Sequence, residues 1–322
     1  MAQALGADVE LVFIEEAAWG TTPVSAVGYV IPVSAIAGDW FKRELLPNPT
    51  LRGNRNPSAP VRGNTTVSGS FTTPLGLEYI GWILKHCIGD PASDGTVAPY
   101  THVSKAGFNE AAVGAMELGL SIEIGHTVEA EYHLYTGCKL DGFTVTGSSE
   151  GVCTFDVQVL GQDYAQSTSP QDSSPTSYTE TPQDHFNMTM EEGGSSIATI
   201  KSCSLTFSNN HDTSQFVIGS AGQVGALPAG VCSVTGSIEA IFSDDTLLTK
   251  AENHTESDLD LIWTSGSYSL TLQVPELVYS PASPAISGPA GVVTSLSFQG
   301  YYANHADATC LKATLKNTTA DY

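Results

Sequence analysis

Eight histidines, at positions 86, 102, 126, 133, 185, 211, 254 and 305, and six cysteines, at 87, 138, 153, 203, 232 and 310, are the residues of this chain best suited to metal or nucleophilic chemistry. Their spacing does not organise them. No HExxH pair is present, and no two cysteines form a CxxC pair. His126 and His133 could share a hairpin, but two imidazoles without a third ligand make a poor metal site. Gly219-Ser220-Ala221-Gly222 follows a strand-like run and lacks the Lys-Ser/Thr that a phosphate cradle needs. Glu191 and Glu192 are adjacent, so on a strand they point to opposite sides and cannot act jointly on one substrate. Cys153 before Thr154-Phe155 and Cys203 before Ser204-Leu205-Thr206-Phe207 sit inside apolar strand patterns, the setting of small buried thiols. The expectation is a protein with no catalytic residues, no metal and no cofactor.

The elements around these residues read as mainly β. Apolar residues make up 41% of 322 and charged residues only 14%, with 31 glycines, and mean hydropathy is near zero. Such a mixture indicates an all-β chain with many turns, and it excludes both disorder and a chain of membrane spans. Strands are expected at Val9–Phe13, Gly63–Thr72, Ser121–Ile124, Thr127–Tyr135, Cys138–Ser148 and Gly151–Gln162, with a turn at Gly137. Further strands are expected at Ile197–Ser208, Gly230–Phe242, Ser267–Leu277, Val292–Tyr302 and Leu311–Lys316. Thr73-Pro74 reads as a helix start, and Leu77, Ile80, Ile83, Leu84 and Cys87 follow at helical spacing, predicting a helix over Leu75–Cys87. Ser243-Asp244-Asp245 caps a shorter one over Thr246–Glu252. Pro281–Gly291 reads as a loop. The amino terminus has no basic stretch and no apolar core, so no signal peptide is expected, and Asn187-Met188-Thr189 is expected to be a silent sequon in a reducing cytosol.

The charge is lopsided. Thirty-four acids against 12 bases give a net charge of −22. A chain of this charge repels nucleic acid in bulk, which excludes a DNA binder held by counterion release. It suits a wall past which DNA slides, and equally a surface that is acidic for solubility alone. Five of the bases, Lys42, Arg43, Arg52, Arg55 and Arg62, fall in the segment Phe41–Arg62, which Pro47, Pro49, Pro57 and Pro60 punctuate. That segment reads as a long projecting loop, either docking on a neighbour's acidic face or simply solvated.

The chain also repeats itself. Val67-Ser68-Gly69-Ser70-Phe71 leads into an apolar stretch, and Val234-Thr235-Gly236-Ser237-Ile238 leads into a shorter one. Each half closes on a strand rich in glycine and aromatics, Phe155–Tyr164 in the first and Leu296–Tyr302 in the second. The order predicts two copies of one β-rich domain, 1–167 and 185–322, joined by a Ser/Thr/Pro-rich linker at 168–184.

Several words in this order resemble the tail tube proteins of long-tailed bacteriophages. They are Glu16-Ala17-Ala18-Trp19-Gly20-Thr21-Thr22-Pro23, Val67-Ser68-Gly69-Ser70, Thr136-Gly137-Cys138-Lys139-Leu140, Asn209-Asn210, Val234-Thr235-Gly236-Ser237, Phe298-Gln299-Gly300-Tyr301-Tyr302 and Leu311–Asn317. The resemblance covers nearly the whole chain. It implies two tandem β-sandwich or partial-barrel domains, each with a flanking helix, whose long hairpins join those of neighbours in one β-barrel around a channel. Placed on this chain, the hairpins are Thr127–Gln162 and Ser267–Tyr302. Asp141, Glu150, Asp156 and Asp163 are then candidates for acids near the bore, with ring interfaces or the outer surface as the alternatives. Lys42, Arg43, Arg52, Arg55 and Arg62 are candidates for contact between rings. The resemblance further implies self-association into stacked rings, three chains in pseudo-sixfold arrangement or six chains with the second domain outside. Implied partners are a tape measure protein, tail terminator and distal tail proteins, and passing double-stranded DNA held without specific contacts. The setting would be the virion tail of a siphophage, assembled in the host cytoplasm, with no membrane insertion. The competing reading is a non-polymerising tandem β-sandwich that binds a receptor or decorates a particle.

Overall fold

The computed structural model describes residues 4–107, 118–179, 181–197, 199–241, 246–281 and 292–322. In the first half the strands are β1 (Val9–Glu15), β2 (Gly28–Val30), β3 (Ala35–Ala37), β4 (Phe41–Leu46) and β5 (Val61–Pro74), then helix α1 (Ile80–Ile88), then β6 (Ala92–Asp94), β7 (Tyr100–Lys105), β8 (Leu120–His126), β9 (Glu131–Ser148), β10 (Thr154–Gly161) and β11 (Asp163–Ser167). The second half adds β12 (Met188–Glu192), β13 (Ser195–Ser196), β14 (Ile200–Ser208), β15 (Ser233–Ile241), helix α2 (Thr246–Glu252), β16 (Ser257–Ser265), β17 (Tyr268–Tyr279), β18 (Val293–Gly300) and β19 (Lys312–Asn317). The protein is mainly β, and every ladder between named strands is antiparallel.

The pairings define two arrays that meet at a corner. One runs β4–β5–β10–β9–β14–β15–β18, with β3 continuing the β4 edge. The other runs β13–β12–β16–β17–β19–β7–β6. They join where Leu277–Tyr279 of β17 pairs with Gly300–Phe298 of β18. A smaller sheet, β2–β1–β8–β9–β11, uses the first half of β9. Both halves of the sequence feed one core, in which Phe143 stands 5.1 Å from Phe155 and 5.9 Å from Phe207 across neighbouring strands. Helix α1 packs on β9 and β7, which covers its apolar stripe as expected.

β9 holds these parts together, and it departs from expectation. Thr127–Ala130 form the turn after β8, and Glu131–Tyr135 runs on into Cys138–Ser148 as one strand of 18 residues, with no reversal at Gly137. Residues 131–138 pair with β8, 132–136 with β11, 139–146 with β10 and 142–148 with β14, so the strand changes partners at Gly137. There φ is +62°, and a Cβ would stand 2.8 Å from Gln162 Cβ and 3.3 Å from the Trp19 ring. The glycine N–H is captured by the buried Glu16 carboxylate at 2.8 Å, which also accepts from Ser121 Oγ at 2.8 Å and Gly20 N–H at 2.6 Å. Trp19 Nε1 donates to the Gly137 carbonyl at 3.2 Å. Two of the sequence words, 16–23 and 136–140, thus interlock at one node.

Other expectations need correcting. α1 begins at Ile80, not Leu75, because β5 runs through Pro74 in register with Thr154 and the Thr73 hydroxyl donates to the Pro32 carbonyl instead of capping a helix. Phe41–Arg62 is not loop throughout: β4 pairs with the start of β5, so Lys42, Arg43 and Arg62 lie on strands and only residues 47–60 form the loop between them. The hairpin placed at Ser267–Tyr302 is narrow, since β17 spends residues 268–277 on β16 and β19 and meets β18 at three positions only. The expected linker bonds to the first half at three places, with Gly28 N–H on Asp172, Gln171 N–H on Glu123 and Trp82 Nε1 on Tyr178 Oη. α2 has the expected bounds, while Ser243-Asp244-Asp245 and most of Pro281–Gly291 fall outside the described residues.

The repeated words occupy matching places. Val67 pairs with Gly161 and Val234 with Gly300; Gly69 pairs with Val159 and Gly236 with Phe298. In both halves the valine side chain fills the space a Cβ on the partner glycine would take, at 2.7 Å for Gly161 and 3.0 Å for Gly300.

Gly137→Ala places a Cβ into Gln162 and Trp19 at a left-handed φ, costing about 2–4 kcal/mol in all. Urea unfolding is expected to show that loss with an unchanged m-value. A variant as stable as wild type would remove Gly137 from its role.

Candidate assembly surfaces

The first array has one face in the core and one in solvent, and the alternation of its strands decides which residues line the latter. On β5 these are Thr66, Ser68, Ser70 and Thr72, on β10 Asp156 and Gln158, on β9 Asp141 and Thr144, on β14 Ser202, Ser204 and Thr206, and on β15 Thr235, Ser237 and Glu239. The hydroxyls are tied across strands. Thr144 meets Thr206 at 2.9 Å, Ser204 meets Ser237 at 3.0 Å, Ser202 donates to Glu239 at 3.1 Å and Thr72 donates to Asp156 at 2.5 Å. The result is a broad sheet face of hydroxyls with sparse carboxylates, most of whose polar groups already have protein partners.

Of the four acids proposed from sequence, the structure brings together Asp141 and Asp156 on this face. Asp141 accepts from the backbone N–H of His211 at 2.8 Å, from its Nδ1 at 2.9 Å and from Ser208 Oγ at 3.3 Å. Burial works to raise this carboxyl, yet the His211 contacts outweigh it and hold it below the usual range. Glu150 stands apart in the exposed β9–β10 turn, where its carbonyl accepts from Ser148 Oγ. Asp163 belongs to the smaller sheet, opposite Thr136. Glu239 was missed, although the alternation of Val234–Ile241 places it on the same side as Thr235 and Ser237.

The five basic candidates share one hairpin at the free edge of this array. All five are exposed, and among the described residues none has an ion-pair partner. Elsewhere Lys85, Lys105, Lys201, Lys250 and Lys312 are each paired with a carboxylate. The loop keeps its shape through local bonds, Asn48 Oδ1 accepting from Thr50 and Asn54 Oδ1 from Asn56. Phe41 anchors the base by stacking on Tyr164 at 4.9 Å. The hairpin also exposes Leu45, Leu51 and Val61, Leu51 almost completely at 96%. Lys42 turns inward from this edge and lines an open concavity of about 610 Å³ with Asp39, Asp141, Ser68 and Gln158. One basic and one acidic candidate therefore share a hollow, while Arg52 and Arg55 stand on the loop beyond it.

Nothing comparable gathers around the nucleophiles and imidazoles. His133 Nδ1 meets Tyr164 Oη at 2.7 Å, with the His126 ring 5.7 Å away, and no three metal-ligating side chains cluster among the described residues. The run Gly147-Ser148-Ser149-Glu150-Gly151 has the spacing of a nucleophile elbow, a match missed from sequence. It forms a turn between two strands instead of a strand-to-helix turn, and its central Ser149, the nucleophile position of that motif, lies exposed in the turn with its N–H on the Lys201 carbonyl at 2.9 Å.

The described chain is antiparallel and mainly β, with a hydroxyl-rich sheet face and a free, cationic edge hairpin. The model of the phage tail tube protein family matches residues 6–300, and the chain belongs to that family. No curated protein matches it. It is a component of the virion tail.

Away from the first array, β12 and β16 set Glu191 opposite Asp260, with Asp258 nearby. Burial first, then these two carboxylates, push Asp260 up to about 6. A carboxyl raised in the folded state holds its proton longer than in the unfolded chain. Its contribution is therefore intact below about pH 4, falls as pH rises to about 6 and stays low above. Asp260→Asn is expected to match wild type at about pH 3.5 and to be more stable by about 1 kcal/mol at pH 7, a figure reduced for the solvent that reaches the side chain. Denaturation curves at the two pH values read this; an equal difference at both would assign the effect to packing.

Proposed function

We propose that copies of this chain polymerise into stacked rings that form the tube of the tail, with the hydroxyl face of the first array turned to the bore. The observation that carries this reading is a seam inside the chain. In the first half the strand order is β4–β5–β10–β9, and in the second it is β14–β15–β18–β17; β9 of the first unit pairs with β14 of the second. The strand at the corresponding free edge, β4, pairs on one side only among the described residues. Repeating the internal seam between molecules adds the β17–β18 end of one chain to β4 of the next. Each chain then supplies two units, 1–167 and 185–322, and three chains close a pseudo-sixfold ring. Pairing the edge also removes the hazard of an open strand.

The bore follows from the same geometry. A face on which several hydroxyls are tied across strands, with Asp141, Asp156 and Glu239 set among them and Lys42 at its β4 margin, offers phosphates more carboxylate than cation, so double-stranded DNA passes without being gripped. The cations lie at the hairpin, where Arg52, Arg55 and Arg62 would meet the acidic surface of the next ring and Lys42 and Arg43 support the seam. A tape measure protein would occupy the bore before DNA, and terminator and distal tail proteins would cap the ends. The tail is taken as non-contractile and the rings as formed in the host cytoplasm.

Negative-stain microscopy of the purified chain tests the assembly: tubes of uniform width with three protomers per ring in end view are expected. Molecules that remain single at high concentration would sink the reading, and six full chains per ring would move the second unit to the exterior. Replacing Arg52, Arg55 and Arg62 together with alanine is expected to shorten the tubes more at low salt than at high, since screening already weakens the contact at high salt. Unchanged length at both would remove the hairpin from ring stacking.

A further inference from the structure

Away from both sheet faces, one pair of nucleophilic side chains meets. Cys232 ends the irregular segment before β15, Cys310 lies two residues before β19, and their sulfurs lie 3.5 Å apart as free thiols. The remaining cysteines, at 87, 138, 153 and 203, are buried, and burial raises each of those thiols. Cys232 differs in being partly exposed. The Cys310 thiol beside it holds it down to about 7, so thiolate is present at neutral pH, while the same contact and burial raise Cys310.

We propose that Cys232 and Cys310 form an oxidative modification site, closing to an intrachain disulfide with a low-molecular-weight disulfide such as oxidised glutathione as oxidant. The Cys232 thiolate attacks one sulfur of the oxidant, forming a mixed disulfide and releasing one glutathione thiolate. That thiolate takes the proton of Cys310, whose sulfur then attacks Cys232 Sγ and expels the second glutathione thiolate, which is protonated by solvent. The protein dithiol is oxidised by two electrons, one oxidised glutathione is reduced to two thiols, and the balance is complete. Closure needs the sulfurs to approach by about 1.5 Å to reach bonding distance. Both cysteines lie in irregular segments between strands, where such a shift disturbs no ladder. The link joins positions 78 residues apart, tying the start of β15 in the first array to the start of β19 in the second. The site is independent of ring formation and goes beyond the tube reading.

The purified chain, incubated at pH 7.5 with oxidised and reduced glutathione in graded ratio, provides the test. Non-reducing peptide mapping is expected to recover the Cys232 and Cys310 peptides joined, with the other four cysteines still free to alkylation. The oxidised chain should melt about 5–10 °C higher, a shift that a reductant reverses. Cys310→Ser is expected to stop at one glutathione held on Cys232. Glutathione remaining on wild-type Cys232 with Cys310 free, a bridge between chains, or a joined pair without a rise in melting temperature would each overturn the proposal, and none of these readouts depends on the variant folding.

Discussion

A single strand passing between two sheets is the constraint on which this fold depends. β9 cannot keep one set of neighbours along 18 residues, because β8 and β11 flank its beginning and β10 and β14 its end. The change of partners costs backbone regularity at one residue. Gly137 supplies the conformation, and the Glu16 carboxylate supplies an acceptor for an N–H that leaves the ladder there. A carboxylate buried to 2% exposure is expensive unless each lone pair is used. Glu16 meets that condition with donors from Gly20, Ser121 and Gly137, and desolvation still raises it above its ordinary range. The β10–β11 strand bends at Gln162 in step, its N–H bonding the Thr136 carbonyl at 2.9 Å.

The polar surface obeys the same accounting of groups. On the first array, Thr144 bonds Thr206 and Ser204 bonds Ser237 across strands. Where a carboxylate is present it has a local donor, as Asp141 has His211 and Asp156 has Thr72. Most lysines outside the edge hairpin are neutralised within the chain, which leaves the hairpin as the concentrated positive feature of a strongly acidic molecule. Ion pairs exposed in this way add little stability. Their absence at the hairpin matters for association, where unpaired charge and exposed leucines are both present.

Much of this architecture was legible in the sequence where periodicity carried it. Ile200–Ser208, Ser233–Ile241 and Lys312–Asn317 lie within one to three residues of the runs that alternation marks, and α2 has the bounds its pattern gives. β16 was overlooked although Leu259, Leu261 and Trp263 alternate in it, with Asp258 and Asp260 interrupting the apolar run. Gly137 read as a turn because its conformation is indeed left-handed, and only its partner, Glu16, 121 positions away, explains why the chain goes straight on. The five bases were legible as a cluster. Which of them faces a hollow and which faces outward depends on β4 pairing with β5, and the prolines around positions 47–60 obscured that pairing. Of the acids, Asp141 and Asp156 share a face through a bulge between Gln158 and Val159 that no alternation rule anticipates.

The matched registers of the two halves carry the strongest link from sequence to assembly. Val67 over Gly161 and Val234 over Gly300 fix the same close approach of neighbouring strands, and Gly69 under the Trp40 ring and Gly236 under the Phe298 ring each admit an aromatic where a methyl would collide. Close approach therefore falls at equivalent points of the two sheets. A closed ring built from two kinds of unit needs that equality, since each seam must turn the wall by the same angle for the last edge to meet the first. One such seam, β9 with β14, lies within the chain, and it joins sheets whose glycines are placed alike. The glycine words therefore specify the same strand spacing in both halves, which the proposed ring would need at each of its seams.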